Sequence, residues 1–184
     1  MKKNEKLEWN EKSKTTLLET PVFTVNRTES VSPEGKIAHF IVNDAPDWVI
    51  VIAEDGDDFL MVKQWRHGEN GLSIEFPGGV IDDGEQPEDG ARRELKEETG
   101  FCAEELVSLG SMNPNPALFR NRVHFFSARK LKKESGQNLD DDEFVSFFRV
   151  PKKEVIKKMG SREYPHAIMG AALMRWMSEN EPNL

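Results

Sequence analysis

The chain has 184 residues, which at about 150 residues per domain allows one globular domain with a short appended segment and excludes two full domains. Lys and Arg total 25 against 33 Asp and Glu, so the formal net charge of -8 supplies no basic field for nucleic acid or an anionic membrane surface. Hydrophobic residues make up 37% of the chain, which excludes disorder along its whole length.

The first 19 residues are predicted to form a loose N-terminal arm, because Lys, Glu, Asn and Thr dominate and apolar residues such as Trp9 are scattered. Residues 20–184 are predicted to form the folded domain. No apolar run reaches the roughly 18 residues of a membrane helix, and no apolar stretch follows the charged start as in a signal peptide. A single cysteine, Cys102, cannot form an internal disulfide. We therefore expect a cytoplasmic protein without a membrane or nucleic acid partner.

Short apolar runs bounded by turn residues predict a β-rich first half. The predicted strands are Val22–Val25, Ile37–Val42, Trp48–Ala53, Phe59–Val62 and Ser73–Phe76. The acidic, glycine-containing segment at residues 54–58 reads as a turn, so the third and fourth strands are predicted to form a hairpin.

The pattern changes to a helical period at Pro87. Proline is tolerated in a first helical turn, Ala91 and Leu95 lie four residues apart, and Gly100 is a common stop signal. These signals predict a helix over Pro87–Thr99.

The second half is predicted to alternate between strands and helices. The strands are Val107–Leu109, Val123–Ala128 and Phe144–Val150, a charged loop spans Lys130–Glu143, and the helices are Pro151–Met159 and Pro165–Ser178. This order of elements predicts an α+β fold in which helices enclose a mixed sheet, an α/β/α arrangement.

The densest charge lies on the helix that begins at Pro87. Glu97 and Glu98 lie three and four residues after Glu94, so the three carboxylates share neighbouring surface, where like charges cost about 0.2–0.5 kcal/mol per pair. Such a cluster favours a cation. A solvated helix with internal ion pairs, such as Arg93 with Glu97, is the simpler interpretation of the same pattern.

The loop before the helix favours the cation. Phe76-Pro77-Gly78-Gly79 must turn tightly, and its glycines let backbone carbonyls approach a ligand or metal closely. Mg²⁺ and Mn²⁺ prefer oxygen donors, whereas zinc prefers His and Cys, which are absent from this stretch of the sequence. The chemistry indicated is metal-assisted attack on a phosphoanhydride.

The segment from Gly79 to Phe101 resembles the signature of the Nudix hydrolases. That signature is Gly, five residues, Glu, seven residues, Arg-Glu, an aliphatic residue, any residue, Glu-Glu, any residue, Gly and an apolar residue, and every fixed position is present in register. The resemblance implies the Nudix α/β/α sandwich and a divalent-metal-dependent cleavage of a nucleoside diphosphate linked to another group.

The resemblance also implies site residues. The implied metal ligands are Glu94 and Glu98, with Glu97 as a further ligand or water contact and the carbonyl of Gly78 completing the set. Glu85 and Arg93 are implied to orient the helix and its glutamates.

The flanking segments resemble the branch that hydrolyses ADP-ribose and nucleoside diphosphate sugars. The matching segments are Gln64-Trp65-Arg66, Glu75-Phe76-Pro77-Gly78-Gly79 and Pro116. By this resemblance Arg66 would hold the diphosphate. Trp65 would stack on the base, with core packing as its alternative, and Glu75 would meet a ribose hydroxyl, support the metal site or simply pair with Arg66.

The residues after Pro116 depart from the Gly-x-Ser-Glu stretch of many ADP-ribose enzymes. Arg120 and Arg122 are candidates for phosphate or sugar contacts, with solvated strand-end arginines as the alternative. His124 lies in an apolar strand and is interpreted as structural.

A general base is still needed, and in this branch it comes from an acidic loop after the helix. Here that loop is Asp140-Asp141-Asp142-Glu143, with Glu143 as the first candidate and Asp141 as the second. A solvated acidic loop is the alternative.

The resemblance predicts a Mg²⁺-dependent hydrolase, with Mn²⁺ as a possible substitute, that converts a nucleotide sugar to a nucleoside monophosphate and a sugar phosphate. A homodimer is expected, because the arm and first strands have apolar surface to share. The alternatives are a Nudix hydrolase of another nucleotide, such as a dinucleoside polyphosphate or coenzyme A, and a non-catalytic nucleotide-sugar sensor.

Overall fold

A computed structural model describes residues 7–141 and 143–180 of the chain. The chain divides into two compact units, Met1–Pro46 with Asn113–Arg122, and Asp47–Met112 with Val123–Leu184. The boundary predicted after residue 19 lies inside the first unit. None of the described helices is long and apolar enough to cross a membrane.

The first unit contains a three-stranded antiparallel sheet in the order β1-β2-β3. Its strands are Asn10–Glu19, Thr24–Val31 and Ile37–Asp44. The segment 113–122 joins it through backbone hydrogen bonds, from Asn43 N–H to the Leu118 carbonyl (2.7 Å) and from Arg120 N–H to the Asn43 carbonyl (3.1 Å).

Residues 10–19 differ from the predicted loose arm, because they form strand β1. This strand pairs with β2 from Asn10–Val31 to Glu19–Thr24. All of its residues are exposed, so burial does not alternate along this strand as it does in a strand with one buried face. Backbone pairing with β2 identifies it as a strand.

The second unit contains a six-stranded mixed sheet. Its strands are β4 (Trp48–Asp55), β5 (Asp58–Arg66), β6 (Gly71–Glu75), β7 (Phe101–Met112), β8 (Val123–Lys133) and β9 (Ser146–Pro151). Five of them follow the order β6-β5-β4-β8-β7, and β9 pairs with β5. Strands β4 and β8 are parallel, and the other pairs are antiparallel.

Strand β4 is buried on both faces, which places helices on both sides of the sheet. Val49 and Val51 belong to a core cluster with Leu95 of helix α1 (Pro87–Thr99). Ile50 and Ile52 point the other way, into a cluster that includes residues of α2 (Lys152–Lys158) and α3 (Ala167–Asn180). The predicted α/β/α fold class is confirmed, as are the hairpin between β4 and β5 and the bounds of α1.

Strands β7 and β8 are longer than predicted. They pair from Phe101–Lys133 to Met112–Val123, so β8 runs into the segment predicted as a charged loop. Opposite charges face each other across the ladder, with Glu104 bonded to Lys132 and Glu105 to Lys130, which suits exposed positions on paired strands.

Candidate active site

Helix α1 presents the motif carboxylates because Pro87 occupies its first turn, Gly100 ends it, and Ala91 and Leu95 anchor one side in the core. Gly100 has a left-handed backbone with φ of 72°, and its N–H donates to the Lys96 carbonyl (2.7 Å). With that side packed, Glu94 and Glu98 project from α1 toward the segment that follows β6.

The Phe76–Gly79 segment runs beside β4. Val51 N–H donates to the Pro77 carbonyl (2.8 Å), and Val49 N–H donates to the Gly79 carbonyl (2.9 Å). A Cβ atom at residue 78 would lie 2.1 Å from the Val49 carbonyl oxygen, so only glycine fits. On its other side, Gly78 N–H donates to Glu98 Oε2 (2.8 Å).

Gly79 lies directly against the second carboxylate. A Cβ atom at residue 79 would lie 2.5 Å from Glu94 Oε1 and 2.8 Å from Oε2. The two glycines therefore allow two glutamates of α1 to meet the backbone of the loop, whereas the sequence predicted an approach of the loop carbonyls to a ligand or metal.

Glu98 is buried, and the Glu94 side chain is only 12% exposed. Burial is the main cause that raises the pKa of Glu94 to about 7 and that of Glu98 to about 8, and the neighbouring carboxylates add to each rise. In the described part of the chain no Lys, Arg or His forms an ion pair with Glu98, which is 3% exposed. A buried carboxylate without a counter-charge is costly, and a bound cation would offset that cost.

Arg93 organises the remaining motif carboxylates. Its guanidinium donates to both oxygens of Glu85 (3.0 and 2.9 Å), to Glu94 Oε1 (2.9 Å) and to Glu97 Oε2 (3.0 Å). It also donates to the Val80 carbonyl (2.8 Å). Arg93 therefore connects the helix to the loop, the orienting position that the resemblance implied.

The donor set fits a hard divalent ion in its chemistry, since Glu94 and Glu98 supply carboxylate oxygens that are largely shielded from solvent, and Glu98 forms no ion pair among the described residues. Within residues 7–141 and 143–180, however, no three His, Cys, Asp or Glu side chains are arranged closely enough to bind one metal ion together. Arg93 accounts for this, because it draws Glu94 and Glu97 toward itself.

Arg66 and Glu75 form a bidentate ion pair. Arg66 Nε donates to Glu75 Oε1 (2.8 Å), and Arg66 Nη2 donates to Oε2 (2.6 Å). Glu75 is fully buried, whereas the Arg66 side chain is 40% exposed. Burial opposes ionisation of Glu75, but the contact with Arg66 lowers its pKa. Of the three roles considered for Glu75, pairing with Arg66 is the one observed.

Trp65 is exposed, so the core alternative for this residue was wrong. Residues 65 and 66 are neighbours on β5, and their side chains point to opposite faces of the sheet. Trp65 lies opposite Leu72 of β6, which is also exposed.

The other arginine candidates belong to the first unit. Arg120 forms ion pairs with Glu11 and Asp44, and Arg122 is exposed. In the second unit, the His124 ring contacts Asp47 Oδ2 through Nε2 (3.1 Å), which agrees with its structural interpretation.

The acidic loop lies near the buried carboxylates. The charge of Glu143 acts on the pKa values of Glu94, Glu98 and Arg66. Glu143 N–H donates to the Asp140 carbonyl (3.0 Å), and Asp140 N–H donates to Glu143 Oε2 (3.3 Å). Asp141 is exposed in the same turn. Asp142 lies outside the described residues.

Two residues near the site were missed by the sequence analysis. Gln137 Nε2 donates to the Glu98 carbonyl (2.6 Å), and His166 lies close enough to Glu75 and Arg66 for their charges to act on its pKa, which burial lowers. Neither residue belongs to a motif, and only the fold brings them to the site.

Comparison with known proteins agrees with this geometry. A model of the NUDIX domain matches residues 44–169. The ADP-ribose pyrophosphatase of Bacillus subtilis (strain 168) is 36% identical over 133 residues, 71% of this chain and 72% of that protein. The methanol dehydrogenase activator of Bacillus methanolicus is 33% identical over 127 residues, 68% of this chain and 69% of that protein.

A solved structure shows the same fold. The crystal structure of an ADP compounds hydrolase superposes with a TM-score of 0.83, covers 95% of this chain and 97% of that one, and is 23% identical in sequence. The family model spans more than half of the chain and includes α1 with its glutamates. The chain therefore belongs to the Nudix family, as its motif predicted.

Proposed function

We propose that this protein hydrolyses the pyrophosphate bond of ADP-ribose and related nucleoside diphosphate sugars, releasing a nucleoside monophosphate and a sugar phosphate. The chain is an enzyme of the Nudix pyrophosphatase class. The observation that carries the proposal is the packing of Glu98 and Glu94 against Gly78 and Gly79, with no ion pair to the buried Glu98 among the described residues. The relative from Bacillus subtilis is named ADP-ribose pyrophosphatase, and this name supports nucleoside diphosphate sugars as the substrate class.

Glu94, Glu98 and Glu97, with the carbonyl of Gly78, would hold Mg²⁺ or Mn²⁺. The carbonyls of residues 77 and 79 bond to β4. Because successive carbonyls of an extended segment point in opposite directions, the carbonyl of Gly78 is expected to point away from β4. The N–H of Gly78 meets Glu98 on that same side. When bound, a divalent cation polarises the diphosphate and offsets its negative charge.

Glu143 would act as the general base, with Asp141 as the second candidate. It would accept a proton from water while the water oxygen bonds to one phosphorus in line and the bridging P–O bond breaks. Arg66 would donate to the diphosphate, and Glu75 fixes the direction of its guanidinium. The contacts of Trp65 with the base and of Arg122 with the sugar or phosphate stay predictions, because Trp65 points to the face of β5 opposite Arg66 and Arg122 belongs to the first unit.

We also propose a cytoplasmic homodimer. Exposed apolar residues of the first unit, including Leu17, Leu18 and Ile37, support a shared surface. The single cysteine suits a reducing compartment.

The test is a substrate panel with a matched pair of variants. Wild type should release monophosphate from ADP-ribose, ADP-glucose or GDP-mannose with Mg²⁺ or Mn²⁺, measured by phosphate release after coupling to a phosphatase. Glu98→Gln keeps an acceptor for Gly78 N–H but removes the charge, so kcat should fall by about 100-fold or more with the fold preserved.

Glu88→Gln is the control, because Glu88 is an exposed residue of the same helix that pairs with Arg92. Its turnover should equal that of wild type. Turnover of dinucleoside polyphosphates or coenzyme A alone would favour the alternative substrates. Tight binding of nucleotide sugars without turnover would favour the sensor, and either result would overturn the proposal.

A further inference from the structure

The segment between β8 and β9 covers the C-terminal end of α1. The last carbonyls of an α-helix have no partner within the helix, and here the segment supplies partners. Asn138 N–H donates to the Glu97 carbonyl (2.9 Å), and Gln137 Nε2 donates to the Glu98 carbonyl (2.6 Å). Two of the three glutamates proposed to hold the metal, Glu97 and Glu98, therefore have their main-chain oxygens bonded to this segment.

Gln137 also reaches the far end of the same segment. The second hydrogen bond of its Nε2 goes to the Val145 carbonyl (3.0 Å). One amide therefore joins three pieces of chain: residue 98 at the helix end, residue 137 where the acidic segment begins, and residue 145 where β9 approaches. An amide nitrogen carries two hydrogens, and each has one carbonyl acceptor here.

Glu143 lies between the two ends that this amide joins. The contacts between Asp140 and Glu143 define a tight local turn. A turn that is rigid within itself can still move as a body, so its position relative to α1 must come from other contacts. Among the described residues, those contacts include the N–H groups of Glu134 and Ser135 to the Gly100 carbonyl, the bonds of Asn138 and Gln137 to the helix end, and the bond of Gln137 to Val145, which alone of these reaches the far side of the turn.

We propose that Gln137 is a positioning residue whose amide fixes the proposed base Glu143 relative to the carboxylates of α1. This inference rests on the proposed function. Gln137 is exposed and belongs to no core cluster, so its replacement should leave the fold intact and alter the placement of the acidic turn.

The test compares replacements that differ in hydrogen-bond donors. Gln137→Met keeps the length and lack of charge but removes both donors, and kcat should fall by about 10- to 100-fold while KM changes by less than about threefold. Gln137→Lys restores a donor beside two carbonyls and should recover part of kcat. Ser135→Ala is the control in the same segment, because that hydroxyl bonds only to the neighbouring Gly136 carbonyl among the described residues.

Amide hydrogen exchange provides the second measurement. In Gln137→Met, peptides that span residues 138–145 should exchange faster, whereas peptides of α1 before its last turn and the melting temperature should not change. Wild-type kcat in Gln137→Met, no recovery in Gln137→Lys, or unchanged exchange would each overturn the inference. If wild type turns over no nucleotide sugar, the proposed function fails, and the exchange measurement still decides whether Gln137 holds the turn.

Discussion

At the level of single residues, Gly79 brings the loop backbone against Glu94, one of the proposed metal ligands. The atoms that a Cβ would strike are the carboxylate of Glu94, the far end of a flexible side chain. That side chain can move aside at little cost in stability, but it would leave its position beside Gly79 and Arg93. A change at residue 79 should therefore affect turnover more than folding.

We expect Gly79→Ala to lower kcat/KM by about 10- to 100-fold, because displacement by about 1 Å at a reacting centre has effects of that size. The free energy of unfolding should change by less than about 1 kcal/mol. Gly68→Ala is the control, since a Cβ there meets nothing within 4 Å. Wild-type kcat/KM in Gly79→Ala would show that Glu94 does not need its present position.

The motif predicted which residues stand together at the site, but not how they contact each other. The spacing of Glu94, Glu97 and Glu98 is local to one helix, so periodicity alone brought them to one surface. The hydrogen bond from Gly78 N–H to Glu98 spans 20 positions of the sequence, and the bond from Gln137 to the Glu98 carbonyl spans 39 positions. Both depend on tertiary structure that no local pattern encodes.

At the level of the element, the end of α1 depends on Gly100. Its φ of 72° is in the left-handed region, and a Cβ would lie 2.4 Å from the Ser135 carbonyl oxygen and 2.9 Å from that of Gly136. Both atoms are backbone of the segment that covers the helix end, so they cannot move aside as a side chain would.

Gly100→Ala should therefore destabilise the protein by more than the conformational cost alone. Gly84→Ala is the matched control, because Gly84 has φ of 81° and a Cβ there meets nothing within 4 Å. Urea unfolding should show a loss of about 1–2 kcal/mol for Gly84→Ala and a clearly larger loss for Gly100→Ala. Equal losses would mean that the covering segment yields without cost.

The elements that the sequence predicted well are those with local signals. Pro87 and Gly100 mark both ends of α1, and the hairpin turn lies between two apolar runs. Strand β1 is exposed along its whole length, and the parts of β7 and β8 beyond the predicted strands include exposed charged residues such as Glu105 and Lys130, so their pairing partners are what identify them as strands. The missed length of these strands has this one physical cause.

At the level of the second unit as a whole, one carboxylate links the sheet to the helices away from the motif. Glu54 of β4 accepts hydrogen bonds from Lys152 Nζ of α2 (2.8 Å), Ser127 Oγ of β8 (2.7 Å) and Arg129 Nε of β8 (3.0 Å). Arg129 continues the chain of contacts to Asn180 of α3. Burial opposes ionisation of Glu54, but its donors, with Lys152 first, lower its pKa to about 2.

Because of this lowered pKa, the free energy of unfolding of the unit depends on pH. Because Glu54 binds a proton less readily in the folded state than at its ordinary pKa of 4.5, its contribution is complete above about pH 4.5 and is lost as the pH falls toward 2. We expect Glu54→Gln to lower the free energy of unfolding by about 2–3 kcal/mol at pH 7. Urea unfolding of both proteins at pH 7, 5 and 3 should show the difference between them shrinking at the lowest pH, since protonated Glu54 resembles glutamine.

Asp55→Asn is the control, because it removes only an exposed ion pair with Arg149 and should cost less than about 1 kcal/mol. A difference between wild type and Glu54→Gln that stays constant down to pH 3 would show that the charge of Glu54 does not stabilise the junction of sheet and helices.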